Sequence, residues 1–377
     1  MRIKKLDEKK KNIKKMADYT ADYYGFDFIE IDGKKYNGEK EEISEKEKIN
    51  ILKTIHKKSL GKRLNSAKLF FYNKPVLKFA GDKDDKIVLD IVNLDTAIAE
   101  ALVLKTAIKI LEDEGYKNIS IKLNSIGGKE SQKKFKKILA EYYRENKNEL
   151  RAVEKKKKST DPFSIYYSKK EYLKELNQEA PTPINNLTDE SYDHFTKVTE
   201  YIDNFGLAYE IDPTLIGEKR IFTKIIFKIF AQAPGEKENK EVAFGGRYDE
   251  LASEILKKKK ISAVGINLSF KRKNKKNIKL KENDINIHLL KIGSTAELKF
   301  FEIVDIFKKL HLPVKFSISE NKISKQLKKA KDDNADKIII FGEKEAKRDK
   351  ILTRDIDDYS QKEINITDLE KYLKKLI

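Results

Sequence analysis

The 377-residue sequence contains no cysteine, and only four of its residues are histidine. The absence of cysteine excludes disulfide bonds and thiolate metal sites, a pattern typical of proteins that fold in a reducing compartment. The histidines are widely separated and never occur at HxH or HxxxH spacing, so we predict no metal site. They are His56, His194, His288 and His311.

Long apolar runs are also missing. No stretch approaches the roughly 18 apolar residues that a membrane-spanning helix needs. The N-terminal segment is rich in charge and contains no hydrophobic signal-peptide core. We therefore expect a cytoplasmic protein with no membrane partner.

Charge is abundant: 38% of the residues are charged, and 81 basic against 62 acidic side chains give a net charge of +19. Such an excess favours a polyanionic partner, nucleic acid before an anionic membrane surface. The lysines are, however, spread along the chain among acidic residues, as a lysine-rich genome would also produce. Lys257–Lys260 and the following 271–281 form the densest basic region.

Apolar periodicity over residues 1–280 predicts an α+β fold. Expected strands alternate with helices, and most neighbouring strands are joined closely enough to form an antiparallel sheet. Residues 129–200 are mainly charged and helical in pattern, which indicates a helical insertion. The elements expected are helices at 1–24, 49–59 and 96–114, and strands at 26–31, 69–72, 75–77, 87–92, 119–123, 209–211 and 221–229.

Beyond residue 284 the pattern changes to strand, helix, strand, helix, strand with short connections. This order predicts a small α/β domain with a parallel or mixed sheet. We place a domain boundary near residue 280, so that the second domain covers 284–377.

One stretch combines apolar, glycine and charged residues unusually closely. Two adjacent glycines, Gly245 and Gly246, follow the apolar residues 242–244. Glycine allows another backbone to approach closely because it has no Cβ. Arg247 and Tyr248 then lead into a predicted helix with an acidic residue, Asp249, at its start.

The string GGRYDxL at 245–251, followed by AVGIxL at 263–268, resembles the end of the catalytic core of histidyl-tRNA synthetases and of their non-catalytic relatives. Further segments resemble the same family in the same order. They are Tyr24–Phe26, Leu94–Gly115, Ile119–Gly127, Thr160–Phe163, Phe205–Glu210 and 322–342.

The resemblance implies a class II synthetase-like antiparallel sheet with a helical insertion, an anticodon-binding-like C-terminal domain, and a homodimer. It also implies substrate-binding residues at Gly245, Gly246, Arg247 and Tyr248. The basic run at 257–260 and the lysines of the predicted helix at 322–331 favour nucleic-acid binding in their own right. Nucleic-acid contacts are expected there at Lys257, Lys258, Lys325, Gln326, Lys328 and Lys329.

The catalytic residues of the family are not matched. Lys78 stands where the family has an arginine that clamps the α-phosphate of ATP, and lysine lacks the bidentate fork of arginine. Gly217 stands at the family's second catalytic arginine and Arg220 at its carboxylate, while no segment between Ile31 and Leu69 resembles the TLRPEGT strand. Arg272 lies where a third arginine would stack on adenine.

Three hypotheses follow from this comparison. The first is a catalytically degenerate paralogue that binds tRNA, another RNA or a protein partner. The second is a divergent, active histidine–tRNA ligase, which would use Lys78 and Arg272 as its residual catalytic residues and ATP and Mg as cofactors. The third is a regulator or scaffold that binds no RNA, similar to the regulatory subunit of ATP phosphoribosyltransferase.

Overall fold

The computed structural model describes residues 13–14, 16–28, 48–49, 52–54, 68–73, 85–168, 170–216, 221–257, 259–271, 278–279, 285–356 and 360–376. Their α+β architecture contains an eight-stranded sheet, a five-stranded sheet and a two-stranded ribbon. The predicted fold class, an antiparallel class II-like sheet with a helical insertion and a smaller α/β unit, is confirmed.

The eight-stranded sheet, which we call the core sheet, has the strand order β2-β3-β4-β9-β8-β7-β5-β6. Neighbours from β3 through to β5 are antiparallel, whereas the edge strands β2 and β6 pair in parallel. Its strands are β2 (Asp27–Phe28), β3 (Lys68–Asn73), β4 (Asp85–Val92), β5 (Lys117–Gly127), β6 (Tyr209–Ile211), β7 (Thr223–Gln232), β8 (Asn239–Arg247) and β9 (Ala263–Phe270).

Alternation along β4 shows how the core sheet divides its two faces. Ile87, Leu89 and Ile91 belong to the main hydrophobic core, into which helix α2 (Ile98–Asp113) also packs. Val88 and Val92 belong to a separate cluster on the opposite face. We call this opposite face the second face. Helix α2 is buried along nearly its whole length, as expected for a helix that is apolar on most sides.

Helices flank the core sheet and build the insertion. Among the described residues, the helices before the C-terminal unit are α1 (Met16–Tyr23), α2, α3 (Lys129–Glu145), α4 (Ala152–Lys157), α5 (Phe163–Tyr166), α6 (Lys174–Gln178), α7 (Asp189–Asn204) and α8 (Asp249–Ile255). Residues 48–49 and 52–54, within the helix predicted at 49–59 or next to its start, are also helical. Within the insertion, α3 packs Phe135 and Leu139 into a small core of its own, together with Ile165 and Leu176.

The C-terminal unit is a mixed five-stranded sheet of order β12-β11-β13-β14-β15. β11 pairs in parallel with both β12 and β13, so the predicted mixed sheet is confirmed. Its elements are β11 (Ile287–Lys291), α9 (Ser294–Lys309), β12 (Lys315–Phe316), α10 (Ile323–Asp332), β13 (Lys337–Phe341), α11 (Glu343–Lys347), β14 (Lys350–Asp355), β15 (Gln361–Asn365) and α12 (Ile366–Lys374).

Helix α9 joins the C-terminal unit to α1 and α2. Lys105 of α2 is 4% exposed, and its Nζ lies 2.8 Å from Asp305 Oδ2 of α9. Tyr24 donates its hydroxyl to the other oxygen of Asp305. Phe301 packs into the same hydrophobic core as α2, so the two units share one continuous core.

The N-terminus differs from expectation. We predicted a helix over residues 1–24, but Ile13–Lys14 form a short strand, β1, that pairs with β10 (Ile278–Lys279), and the helix begins only at Met16. Tertiary pairing here overrides a local helical pattern. The predicted strand at 75–77 lies outside the described residues. No helix among the described residues is both long and apolar enough to cross a membrane.

Candidate functional site

The corner between β8 and α8 contains the glycine pair singled out in the sequence. Gly246 lies opposite Gly265 of β9, and Gly245 lies opposite Ile266. A Cβ on Gly245 would stand 2.3 Å from the carbonyl oxygen of Gly265, and one on Gly246 would stand 2.6 Å from that of Ile225. The close approach inferred from the sequence is therefore confirmed, and no side chain fits at either position.

Arg247 points from this corner towards α2 and is bound there by a buried carboxylate. Its Nε and Nη2 donate to Oε1 and Oε2 of Glu100, each at 2.6 Å, and both side chains are fully buried. His194 Nε2 lies 2.7 Å from the same Oε1. Burial alone would raise the pKa of Glu100. Arg247 and His194 more than offset this effect and lower the pKa to about 2. Glu100 is thus held ionised by its two partners.

The same guanidinium also reaches the start of α8. Arg247 Nη1 lies 3.4 Å from Asp249 Oδ1, and that oxygen accepts a 2.8 Å hydrogen bond from the backbone N–H of Ala263. Asp249 therefore ties the first turn of α8 to both β8 and β9. The sequence predicts an acidic residue at the start of this helix, and in the structure that residue, Asp249, binds groups within the protein.

On the second face, Tyr248 takes part in a buried polar cluster. Its hydroxyl donates to Asp90 Oδ1 at 2.6 Å, and Lys48 Nζ lies 2.5 Å from the same oxygen. Gly265 provides the space for this contact, because a Cβ there would stand 1.9 Å from Asp90 Oδ1 and 2.6 Å from Lys48 Nζ. The cluster therefore fills the notch that Gly265 leaves in the sheet.

The notch at Gly246 is filled by an aromatic ring. A Cβ on Gly246 would stand 2.7 Å from Cδ1 of Phe222, whose side chain is only 5% exposed. Phe222 also packs edge-to-face on Phe244, with ring centroids 5.3 Å apart, and against Ile226. Both glycine notches of the second face are thus occupied by the chain's own side chains.

Two comparisons of the sequence support one family. Residues 92–272 match the family model described as histidyl-tRNA synthetase, and residues 285–376 match the anticodon binding domain. The histidine–tRNA ligase of Clostridium perfringens is 26% identical over 284 residues, which cover 74% of this chain and 67% of the relative. The ligase of Caldanaerobacter subterraneus is 27% identical over 294 residues, covering 76% and 69%.

The fold agrees with these matches. The crystal structure of apo S. aureus histidyl-tRNA synthetase superposes with a TM-score of 0.55 at 18% identity, covering 95% of this chain and 93% of that one. Residues 92–272 belong to the histidyl-tRNA synthetase family. The resemblance found in the sequence is therefore confirmed for both the catalytic-core and the anticodon-binding segments.

Within the segment that matches the histidyl-tRNA synthetase family, the four motif residues Gly245, Gly246, Arg247 and Tyr248 do lie together. All four are buried, and each makes internal contacts. Their assignment as substrate-binding residues stays a prediction. The residual catalytic candidates Lys78 and Arg272 lie outside the described residues, as does Lys258.

The expected nucleic-acid residues separate into exposed and buried groups. Lys257 is exposed at the end of α8, and Lys325, Lys328 and Lys329 are exposed on α10. Gln326, by contrast, is buried: it donates to the carbonyl of Lys291 at 2.9 Å and accepts from its N–H at 3.2 Å. Gln326 therefore fixes α10 to β11 and does not face solvent.

Sequence reasoning missed the partners that fill the site. Asp90 interrupts an apolar strand and Glu100 an apolar helix, and a buried charge requires a partner of opposite sign. That signal was available in the sequence. Lys48 and Leu52, at i and i+4, lie on one helical face. This spacing predicts that the two side chains face the same neighbour, but it does not identify that neighbour as Asp90. No local signal identifies Phe222 as the residue over Gly246.

Proposed function

We propose that this chain is a catalytically degenerate member of its family that acts by binding RNA, with tRNA as the foremost candidate. One observation carries the proposal: the residues expected to bind substrate are engaged by the protein itself. Phe222 lies over Gly246, Tyr248 donates its hydroxyl to Asp90, and Glu100 accepts from Nε and Nη2 of Arg247.

The sequence supports the loss of catalysis independently. Adenylate formation needs fixed cations around the α-phosphate, because charge stabilisation and positioning supply most of the acceleration. Lys78 replaces an arginine that would grip this phosphate through two parallel hydrogen bonds. Gly217 replaces a second arginine and removes that charge altogether. Several transition-state contacts are therefore lost together.

Charge distribution supports an RNA partner and points to its surface. The C-terminal unit, residues 285–376, is nearly balanced, with 20 basic and 16 acidic residues. Residues 129–160 of the insertion carry 12 basic against 5 acidic residues. Exposed lysines of α3 and α4 therefore concentrate much of the positive charge. Those without an ion pair shown in the structure are Lys129, Lys134, Lys136, Lys137, Lys155, Lys156 and Lys157.

RNA binding is tested by measuring affinity for unfractionated tRNA over a range of salt concentrations. Each phosphate contact contributes about 0.7–0.9 to the slope of log affinity against log salt. We expect a steep slope that falls when Lys136, Lys137, Lys155 and Lys156 are changed together to Gln. A second variant changes Lys325, Lys328 and Lys329 of α10, which the sequence predicts to contact nucleic acid, to Gln. If only the α10 variant lowers the slope, the RNA surface lies on the C-terminal unit instead.

Specificity needs a second comparison. We expect tRNA to bind more tightly than heparin or an unrelated single-stranded RNA at the same salt concentration. Equal, weak binding of all three would contradict a dedicated RNA-binding function and would favour a protein partner.

We also propose a homodimer and a domain boundary near residue 280. Sedimentation at two protein concentrations tests the first, and separate expression of 1–280 tests the second.

A further inference from the structure

The junction of α1, α2 and α9 encloses a cavity of about 300 Å³ between the core and the C-terminal unit. This volume reaches the lower end of the range that small-molecule sites occupy. Helix α2 packs on the face of the core sheet opposite the second face, so the cavity is separate from that face. Its lining includes the buried Tyr19 and Tyr24 of α1, Lys109 and Glu112 of α2, and Asp305 of α9.

Two long helices end at this cavity. Helix α2 ends at Asp113 and α9 ends at Lys309, and each is 16 residues long. The C-terminus of a helix carries a partial negative charge equivalent to about half an elementary charge. Carboxylates of Glu112, Asp113 and Asp305 line the same cavity. The helix ends and the carboxylates together favour a positively charged occupant.

The carboxylates of Asp113 and Asp305 lie at two levels of the junction. Thr20 donates its hydroxyl to Asp113 at 2.6 Å. Tyr24, one helical turn further along the chain, donates its hydroxyl to Asp305. One turn of helix rises about 5.4 Å, so a spacing of this order separates the two acidic levels. A compact ammonium ion reaches one level, whereas a linear diammonium ion reaches both.

Lys109 shows how this environment acts on a cation. Its Nζ lies 2.7 Å from Glu112 Oε2. Burial alone would lower the pKa of Lys109, but the hydrogen bond to Glu112 and the charges of Asp305 and Asp113 raise it. The protonated amine is therefore favoured at this point of the cavity.

Two further lysines line the cavity, and both are engaged by carboxylates. Lys308 Nζ lies 2.6 Å from Asp113 Oδ2, and Lys309 Nζ lies 2.7 Å from Glu370 Oε2. An ionised carboxylate has about four lone-pair sites for hydrogen bonds. The ion pairs therefore leave the carboxylates with acceptor capacity for a ligand.

An aromatic wall completes the cavity. The rings of Tyr19 and His311 lie 5.8 Å apart, and the Tyr19 hydroxyl is 3.3 Å from His311 Nδ1. The face of an aromatic ring attracts ammonium groups. The part of the chain that the structure describes contains no cluster of side chains able to hold a metal ion. These features favour an organic cation over a metal ion.

We propose that the cavity is a binding site for a linear organic diammonium ion, a short polyamine, which joins the core to the C-terminal unit through Glu112, Asp113 and Asp305. The inference goes beyond the proposed function and does not depend on it, because the site shares no residue with the lysine surface of α3 and α4 or with the second face.

The test is isothermal titration calorimetry of the full chain, without RNA, with 1,4-diaminobutane. Its two ammonium groups are separated by about one helical turn, and both are protonated near neutral pH. We expect saturable binding. The control 1-aminobutane has the same carbon chain with one ammonium group, and we expect it to bind about tenfold more weakly or less, because one charged hydrogen-bonding group is lost. We expect no binding of the neutral 1,4-butanediol.

Two single changes test whether the diamine binds in this cavity. Glu112→Gln removes a partly exposed carboxylate and should weaken diamine binding by about two- to fivefold. Lys109→Met removes a competing ammonium group and should strengthen binding by a similar factor. The matched controls Glu130→Gln and Lys133→Met alter an exposed pair with the same three-residue spacing on α3, and we expect no change.

Amide hydrogen exchange gives a second readout of location. Saturating 1,4-diaminobutane should slow exchange in both α1 and the last turns of α9. Three results would overturn the proposal: no saturable binding of the diamine, equal binding of the diamine and the monoamine, or slower exchange confined to other parts of the chain. Weaker binding by Lys109→Met would also contradict it, because the lysines would then serve to hold an anion.

Discussion

The ion pair between Arg247 and Glu100 makes a quantitative prediction about stability. Both side chains are fully buried and are joined by two hydrogen bonds of 2.6 Å. Glu100→Gln leaves the guanidinium buried, with Asp249 at 3.4 Å as its next carboxylate. Breaking a buried pair by removing one partner costs about 3–5 kcal/mol, because the other charge is left uncompensated. We expect a loss of this size for Glu100→Gln.

The assay is urea unfolding followed by circular dichroism, completed as a double-mutant cycle. Arg247→Met should also destabilise the protein, whereas Glu100→Gln combined with Arg247→Met should cost clearly less than the two single changes together. Glu130→Gln is the matched control, because its pair with Lys133 is exposed, and we expect no measurable change. A loss below about 1 kcal/mol for Glu100→Gln, or additive single changes, would refute the reasoning.

Three further predictions follow from the same structure. The pKa of Glu100 is lowered from 4.5 to about 2, so its contribution is present above pH 4.5 and is lost as the pH falls towards 2. We expect wild type to lose about 3 kcal/mol more than Glu100→Gln over that range, and parallel pH profiles would contradict this. Gly246→Ala places a Cβ 2.6 Å from a backbone oxygen, whereas a Cβ on Gly128 meets only an ordinary contact at 3.6 Å. Soluble yield should therefore fall sharply for Gly246→Ala and not for Gly128→Ala. Asp305→Asn weakens the contact with the buried Lys105, so amide hydrogen exchange in α9 should become faster. Unchanged exchange would show that apolar packing alone holds this helix.

Much of the fold could be predicted because its signals are local. Apolar alternation located β4, β5 and β7, and the period of α2 marked that helix to within two residues of its bounds. The glycine pair at 245–246 correctly indicated close backbone approach, because glycine has no Cβ to hold a neighbouring backbone away. The strand–helix alternation beyond residue 284 gave the mixed C-terminal sheet.

The site could be predicted only in part, because its contacts join distant segments. Arg247 was singled out, but its partner Glu100 lies 147 positions away. Tyr248 and Asp90 are 158 positions apart. Residue type indicates what chemistry a side chain can perform, and only the packing of the sheet shows whether that side chain is free or already engaged. The N-terminal helix was extended too far because its lysine pattern suits a helix as well as an edge strand.

Equilibrium binding of histidine to the purified protein, measured by isothermal titration calorimetry, tests the central claim most directly. The side chains of Phe222, Lys48 and Glu100 already engage the residues expected to hold a substrate, so we predict no saturable heat of binding, with or without ATP. Saturable, stoichiometric binding of histidine, accompanied by ATP–pyrophosphate exchange that Lys78→Ala abolishes, would contradict the account and identify an active ligase.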